Sequence, residues 1–503
     1  MPSPSSPTHP ATIRSTAGFV LGPTAGLAVW LAPLPLASPA HTLAAIMAWV
    51  VVFWITEPIP IPATALLAAA AAIVCGVGGA KEVFAPFAHP IIFLFIGSFL
   101  IAEAMVVHGL DRRIALWVLT RGVIGESPAR ILGAVGLLSA GLSLWVSNTA
   151  TAAMLLPIAT GILGALAAAR GPSTGAVSPV SWRYSTGLML MVAYGASIGG
   201  LGTLIGTPPN LIGKGLIAER LGRDIGFVEW MGFGVPIVIV SLIGLFGLLY
   251  LLHRPDVGSL DGVGAYLARE REALGPLSPG ARNAAIAFGA AVTLWLMPAA
   301  LALLLGPTDP IVKWYDAHVP EAVVALLAAG LLFVLPVDWR SRRFTLSWQE
   351  AERIDWGTIL LFGSGLALGD LMFKTGLSEA IGRGASAWLQ ADSLWAITGL
   401  AIALGILLSE LTSNTASATM VIPVAIAIAE GAGVSALPPA LGACLGSSFG
   451  FMLPVSTPPN AIVYGSGLVP IGQMIRAGIL LDIAGFFIRW GALRVLCPLL
   501  GLI

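Results

Sequence analysis

The residues best able to bind a ligand lie in two short motifs, each of which occurs twice. Residues 147–149 and 413–415 read Ser-Asn-Thr, and GTPPN at 206–210 and STPPN at 456–460 follow them. Hydroxyl and carboxamide groups both donate and accept hydrogen bonds, so they can coordinate a small cation through oxygen and bind an anion through hydrogen. Because each triplet lies inside an apolar run, its polar groups are costly to bury without partners. The pattern predicts a paired site for small ions.

Each triplet is predicted to stand at the tip of a re-entrant helical hairpin, over residues 128–169 and 393–431. The arms on either side of the triplet are apolar and about 20 residues long, which is a marginal length for a membrane span. Two ordinary spans are the competing interpretation. The helix after each triplet begins with unpaired N–H groups and a partial positive charge, which stabilise an anion without any Lys or Arg.

The Pro-Pro pairs at 208–209 and 458–459 are predicted to break the helices over 185–218 and 437–466, because proline cannot continue a helix. Broken helices at corresponding positions of two halves are typical of transporter binding sites. Unwound carbonyls near Gly206 and Ser456 can then supply cation ligands.

Composition restricts the class of protein. Of 503 residues, 57% are hydrophobic and only 10% are charged, with a mean hydropathy of +0.91, whereas soluble domains carry about 25% charged residues. The chain is predicted to be an all-α polytopic membrane protein. Its net charge of zero implies no nucleic-acid partner. No His or Cys lies near either triplet, which argues against an enzyme, and no cofactor is predicted.

An internal repeat organises the chain. Residues 94–110 align with 361–377, and the run from Ser143 to Pro157 aligns with that from Ser409 to Pro423. The predicted architecture has about 11 transmembrane helices plus the two hairpins, and an odd number of spans per half inverts the second copy. The predicted divisions are a disordered tail (1–16), a first span with the first repeat (17–252), a cytoplasmic linker (253–282) and the second repeat (283–503).

Arginine distribution predicts the orientation. Four connections rich in arginine fall on one side by the span count: 110–130, 170–184, 253–282 and 338–353. Short loops rich in Lys and Arg stay in the cytoplasm. The chain is therefore predicted to lie in the inner or plasma membrane with its N-terminus cytoplasmic.

These motifs resemble those of the divalent anion:sodium symporter (DASS) family, which comprises sodium-coupled carriers of di- and tricarboxylates and of sulfate. SSFGFMLPVSTPPNAIV at 447–463 is similar to that family's signature throughout. WGTILLFGSGLALGDLMFKTGL at 356–377 and TEPIPIPATALL at 56–67 also resemble family segments. The resemblance extends over roughly residues 17–500.

The resemblance implies an elevator-type homodimer, with a scaffold domain and a transport domain, that imports C4-dicarboxylates such as succinate with Na⁺. A Na⁺-independent exchanger of dicarboxylate, citrate or sulfate on the same fold is the alternative. The implied substrate contacts are Ser147, Asn148, Thr149, Thr207, Pro208, Ser413, Asn414, Thr415, Thr457 and Pro458. The implied Na⁺ ligands are Ser143, Ser147, Asn148 and Gly206 at one site and Ser409, Thr412, Asn414 and Ser456 at the other.

Five charged residues lie within apolar segments: Glu57, Glu103, Asp370, Lys374 and Glu410. An ionisable group inside a membrane is a functional hypothesis by default. Glu410 adjoins the second triplet and could tune cation binding. Helix capping or ion pairing is the alternative for all five residues.

Overall fold

The structure is a computed structural model that describes residues 13–121, 127–169, 183–255, 262–389 and 393–503. Within these ranges it is almost entirely helical. The helices up to residue 252 are α1 (Ile13–Leu31), α2 (Ser38–Thr56), α3 (Ile61–Val74), α4 (Ala80–Phe84), α5 (Pro90–Val107), α6 (Leu110–Leu119), α7 (Pro128–Ser143), α8 (Asn148–Ala169), α9 (Arg183–Gly199), α10 (Pro208–Leu221) and α11 (Phe227–Leu252).

The described residues after 252 add twelve helices and one small antiparallel β-hairpin. The helices are α12 (Val263–Ala273), α13 (Pro279–Leu305), α14 (Pro310–His318), α15 (Glu321–Val334), α16 (Trp348–Ala351), α17 (Trp356–Lys374), α18 (Leu377–Leu389), α19 (Leu394–Leu411), α20 (Asn414–Gly431), α21 (Leu437–Gly446), α22 (Pro458–Gly465) and α23 (Ile471–Leu499). The strands are β1 (Pro336–Asp338) and β2 (Arg343–Phe344).

Among the described residues, 10 helices are long and apolar enough to cross a membrane, or 11 if the bent pair α14–α15 forms one span. The apolar runs require this, because only a helix satisfies every backbone hydrogen bond within a single segment in lipid. The predicted class, an all-α polytopic membrane protein, is confirmed. The inversion of the repeat and the elevator arrangement remain predictions.

Local sequence signals set the helix boundaries. Ser278 and Ser393 cap α13 and α19 by accepting hydrogen bonds from Ala281 N and Ala396 N, both at 3.2 Å. Such caps satisfy backbone N–H groups that the first turn leaves unpaired. Gly222 ends α10 in the left-handed region, with φ of 63°, a conformation that glycine adopts without the steric penalty other residues incur.

The two predicted hairpins are pairs of consecutive helices, α7–α8 and α19–α20. The first pair is interrupted between Ser143 and Asn148, and the second between Leu411 and Asn414. In both pairs the first helix packs closely on a broken helix. A Cβ atom at Gly199 would lie 2.3 Å from the Ala140 carbonyl oxygen, so α9 approaches α7 at a distance that only glycine permits.

The Pro-Pro motifs coincide with the helix breaks. α9 ends at Gly199 and α10 begins at Pro208, while α21 ends at Gly446 and α22 begins at Pro458. Each Pro-Pro pair occupies the first two positions of the second helix, where the missing N–H groups have no intrahelical partner to lose. The polar residues of each motif therefore lie at a helix N-terminus.

A buried ion pair joins α10 to α15. Lys214 is 5% exposed, and its ammonium contacts Glu321 Oε2 at 2.7 Å and Asp224 Oδ1 at 2.9 Å. It also donates to the Ile225 carbonyl at 2.7 Å. All three ammonium hydrogens thus have acceptors, which a buried charge requires.

Two boundaries differ from the sequence predictions. The linker predicted over 253–282 contains the helix α12, because Val263 and Leu267 bury apolar side chains and Arg112 pairs with Glu270 at 2.6 Å. The predicted disordered tail overlaps α1, which begins at Ile13; residues 1–12 lie outside the described ranges.

Candidate functional site

One cavity of about 650 Å³ contains both Ser-Asn-Thr triplets and both helix breaks. All ten residues predicted to contact the substrate line it: Ser147, Asn148, Thr149, Thr207, Pro208, Ser413, Asn414, Thr415, Thr457 and Pro458. We call this set the motif wall. The rest of the lining, which we call the opposite wall, comes from α3, α5, the first turns of α17 and the residues leading into α17. The two triplets and the two Pro-Pro motifs, four segments far apart in sequence, thus line one cavity.

The first triplet is held by hydrogen bonds across its tip. Ser143 Oγ donates to Asn148 Oδ1 at 2.6 Å, and Ala150 N donates to Ser147 Oγ at 3.3 Å. With Oδ1 bound in this way, the Asn148 amide group keeps its N–H donors for a ligand. The tip therefore presents donors to the cavity at the start of α8, where the helix dipole also favours an anion.

The second triplet repeats these contacts. Ser409 Oγ donates to Asn414 Oδ1 at 2.7 Å, and Ala416 N donates to Ser413 Oγ at 3.2 Å. The two tips therefore agree in both geometry and residue type, and each offers a carboxamide and a helix N-terminus to the same cavity.

The last asparagine of each TPPN motif fixes the unwound chain before it. Asn210 Nδ2 donates to the carbonyls of Gly200 at 2.8 Å and Thr203 at 2.7 Å. Asn460 Nδ2 donates in the same way to Gly450 and Leu453, both at 3.0 Å. The sequence interpretation included both asparagines in the motif but gave them no role. Their amide groups satisfy carbonyls that the helix break leaves unpaired.

Oxygen atoms cluster beside the first break. A Cβ atom at Gly206 would lie 2.5 Å from the Gly200 carbonyl oxygen and 2.9 Å from that of Ser143. A Cβ atom at Gly200 would lie 2.5 Å from Asn148 Oδ1. Carbonyl, hydroxyl and carboxamide oxygens thus surround the position predicted for the first cation, and hard cations prefer such ligands.

The second predicted cation site has a different composition. Ser456 Oγ donates to Glu410 Oε2 at 2.6 Å. Glu410 is 1% exposed, and its other carboxyl oxygen accepts hydrogen bonds from the backbone N–H groups of Phe451 and Met452. The unwound chain before α22 therefore wraps around a carboxylate. Thr412, predicted as a ligand here, donates its hydroxyl to the Trp54 carbonyl at 2.7 Å.

Three of the four remaining intramembrane charges fall into two groups. Lys374 pairs with Glu82 at 2.8 Å and with Asp370 at 2.6 Å, so ion pairing accounts for Lys374 and Asp370. Glu103 instead lines the cavity, on the wall opposite the motifs. The aligned residues Glu103 and Asp370 therefore have different surroundings.

Sequence reasoning missed the wall opposite the motifs. Phe99 and Ala102 on α5 and Arg353, Asp355 and Thr358 at the start of α17 all line the cavity. None of them belongs to the Ser-Asn-Thr or Pro-Pro motifs, and only the packing of α5 and α17 brings them here. Arg353 comes from a connection that the sequence marks only as rich in arginine.

The sequence is similar to those of a known protein family and of a characterised transporter. A family profile described as "Sodium:sulfate symporter transmembrane region" matches residues 15–503. The sodium-dependent dicarboxylate transporter SdcS of Staphylococcus aureus is 33% identical over 471 residues, which cover 92% of this chain and 87% of SdcS.

Two solved transporters share the fold. The YdaH transporter of Alcanivorax borkumensis aligns with a TM-score of 0.52 and 17% identity, over 82% of this chain and 85% of its own. MtrF of Neisseria gonorrhoeae aligns with a TM-score of 0.50 and 14% identity, over 93% and 96%. The family match over nearly the whole chain and the SdcS identity agree with the paired motifs. The chain is a membrane transporter and belongs to the sodium:sulfate symporter family.

Proposed function

We propose that this protein imports C4-dicarboxylates such as succinate together with Na⁺. The observation that carries the proposal is the single cavity in which both Ser-Asn-Thr triplets meet. A dicarboxylate has two anionic ends, and each triplet offers one of them hydroxyls, a carboxamide and a helix N-terminus. The name of the 33% identical relative, a sodium-dependent dicarboxylate transporter, supports the same substrate class.

Sodium coupling follows from the charge of the motif wall. None of its ten residues is cationic, so the motif wall itself offers no counter-charge to a dianion that loses hydration there. Two bound cations would supply that charge. The first would be held by Ser143, Ser147, Asn148 and Gly206, and the second by Ser409, Thr412, Asn414 and Ser456. Binding of the anion then depends on Na⁺.

We further propose that the motif wall belongs to a transport domain that moves against a scaffold in an elevator mechanism, within a homodimer. The composition of the cavity supports this division, because one wall consists of hairpin tips and helix breaks and the other of α3, α5 and the start of α17 with the chain leading into it. The proposed orientation keeps the N-terminus in the cytoplasm of a plasma or inner-membrane protein.

Uptake of labelled succinate into proteoliposomes tests the proposal. We expect uptake to rise steeply with external Na⁺ and to remain low when Li⁺ or choline replaces it. If uptake is the same in choline but requires a dicarboxylate inside the vesicles, the protein is an exchanger. If neither condition supports uptake of succinate while sulfate is transported, the substrate assignment is wrong.

A further inference from the structure

The cavity wall opposite the motifs carries its own charged groups. Arg353, Glu103 and Asp355 are the ionisable residues among those that line the cavity. Asp355 is already engaged, because it caps α17 by accepting hydrogen bonds from Thr358 N at 3.0 Å and Thr358 Oγ1 at 2.5 Å. Arg353 and Glu103 are therefore the two groups that can set the charge of this wall toward a ligand.

The backbone that follows Arg353 is anchored. Ile354 is 7% exposed, and Asp355 is fixed by its cap on α17. The Arg353 side chain itself is exposed and makes no hydrogen bond or ion pair with any described residue. An arginine held by its backbone, but with a free guanidinium, keeps its donors for an anionic ligand.

Glu103 lies on the cavity-facing side of α5. Phe99, Ala102 and Val106 line the cavity with it, at the spacing of residues that share one helix face. Glu103 is partly buried and lies within electrostatic range of Arg353. Glu350, in the cap of α16, is also within range of Glu103 but does not line the cavity.

We propose that Arg353 and Glu103 set the anion affinity and the valence preference of this transporter, an inference that rests on the proposed dicarboxylate function. Arg353 attracts the anion from the wall that lacks motif residues. Glu103 repels anionic charge there, and the repulsion grows with the number of charges on the ligand. Because both energies scale with ligand charge, Arg353 raises the affinity for a trianion such as citrate relative to a dianion and Glu103 lowers it, and the balance of the two sets the valence preference.

The two residues act with opposite sign, which makes the proposal specific. Arg353→Gln should weaken succinate binding about fivefold at low ionic strength, and citrate binding by more, because the Coulomb energy scales with ligand charge. Glu103→Gln should tighten binding of both anions, with the larger gain for citrate. Raising ionic strength should reduce both effects, since salt screens exposed charges.

The test is titration calorimetry of the purified full-length variants at fixed Na⁺, with choline chloride added to vary ionic strength. Arg353→Lys keeps the charge and should restore most of the affinity. Arg282→Gln removes an exposed arginine that does not line the cavity and should leave affinity unchanged. The double variant R353Q/E103Q should lie near wild type, which separates electrostatics from damage to the fold.

Two results would overturn the inference. One is a loss of affinity in Arg353→Gln that does not depend on salt and is not restored by lysine. The other is a shift of Glu103→Gln in the same direction as Arg353→Gln. Failure of the proposed function has a different signature, because wild-type protein would then show no Na⁺-dependent succinate binding at all.

Discussion

The two motif tips form the same hydrogen bonds but differ in charge. Ser143–Asn148 and Ser409–Asn414 make matching bonds at 2.6 and 2.7 Å. The residue after each serine differs, however, since Leu144 in the first half aligns with Glu410 in the second. Glu410 binds two backbone N–H groups and Ser456, and no carboxylate occupies the aligned position in the first half.

This difference indicates that the two proposed cation sites are unequal. A buried carboxylate close to bound Na⁺ offsets part of the cost of removing that ion from water. The first site has only neutral oxygens and must depend more on the substrate's own charge. The repeat thus supplies the geometry of both sites, while single-residue changes set the electrostatics of each.

The largest expected effect comes from introducing charge at the matched asparagines. Asn148→Asp and Asn414→Asp each keep an oxygen for Ser143 or Ser409 but replace the amide donors with a carboxylate. Two like charges about 4 Å apart repel by about 4 kcal/mol at an effective dielectric of 20, or about a thousandfold in affinity. Dicarboxylate transport should fall by orders of magnitude in both variants.

Thermal shift separates this effect from misfolding. Both variants should still gain stability from Na⁺, and more than wild type does if the new carboxylate attracts the ion, but should gain none from succinate. If succinate stabilises them as it stabilises wild type, the asparagines do not contact the substrate and the proposed site is wrong.

A second contrast uses the aligned pair Gly206 and Ser456. Gly206→Ala places a Cβ atom 2.5 Å from the Gly200 carbonyl oxygen, and such overpacking costs about 1–3 kcal/mol. Ser456→Ala keeps the backbone and removes the hydroxyl that donates to Glu410 Oε2 at 2.6 Å and to the Glu410 carbonyl at 3.2 Å. Succinate uptake should therefore fall about tenfold to a hundredfold in Gly206→Ala and only a few-fold in Ser456→Ala. Equal losses would contradict a steric requirement for glycine at position 206.

The inequality of the cation sites is tested directly at Glu410. Glu410→Gln keeps the shape but removes the charge, so the Na⁺ concentration for half-maximal uptake should rise about tenfold, near 1.4 kcal/mol. Leu144→Gln is the matched control and should change the Na⁺ dependence little, because no cation site is predicted to depend on Leu144. Sodium titrations of succinate uptake give both values. Identical curves for Glu410→Gln and wild type would contradict an electrostatic role.

The smallest expected effect concerns Thr412, which aligns with Val146. Thr412→Val removes the hydroxyl that donates to the Trp54 carbonyl, and a buried hydrogen bond contributes about 1 kcal/mol. If that hydroxyl also coordinates Na⁺, the Na⁺ dependence of uptake should shift a few-fold. If it only forms the hydrogen bond to Trp54, its loss should lower thermal stability and leave the Na⁺ dependence unchanged. Measuring both quantities on one preparation decides between the two roles.

Much of the architecture could be predicted from the sequence because lipid leaves few alternatives. Long apolar runs must form helices, and Pro-Pro pairs must interrupt them. The repeated triplets and breaks stood out because polar groups in apolar runs are costly unless they serve a purpose, and the family resemblance implied the ten residues of the motif wall as substrate contacts. The helix α12 was not predicted because its sequence is mostly polar. Only two of its apolar side chains, Val263 and Leu267, are buried against the rest of the protein.

Local pattern alone determined the membrane class and the helix breaks, and the family resemblance of the motifs implied the residues of the motif wall. The tertiary structure decided what faces that wall. It placed Arg353 and Glu103 in the cavity, gave Lys374 two carboxylate partners, and wrapped the chain before α22 around Glu410. These outcomes depend on contacts between segments far apart in sequence. No periodicity or motif encodes such contacts, because charges pair across packed helices according to distance in space.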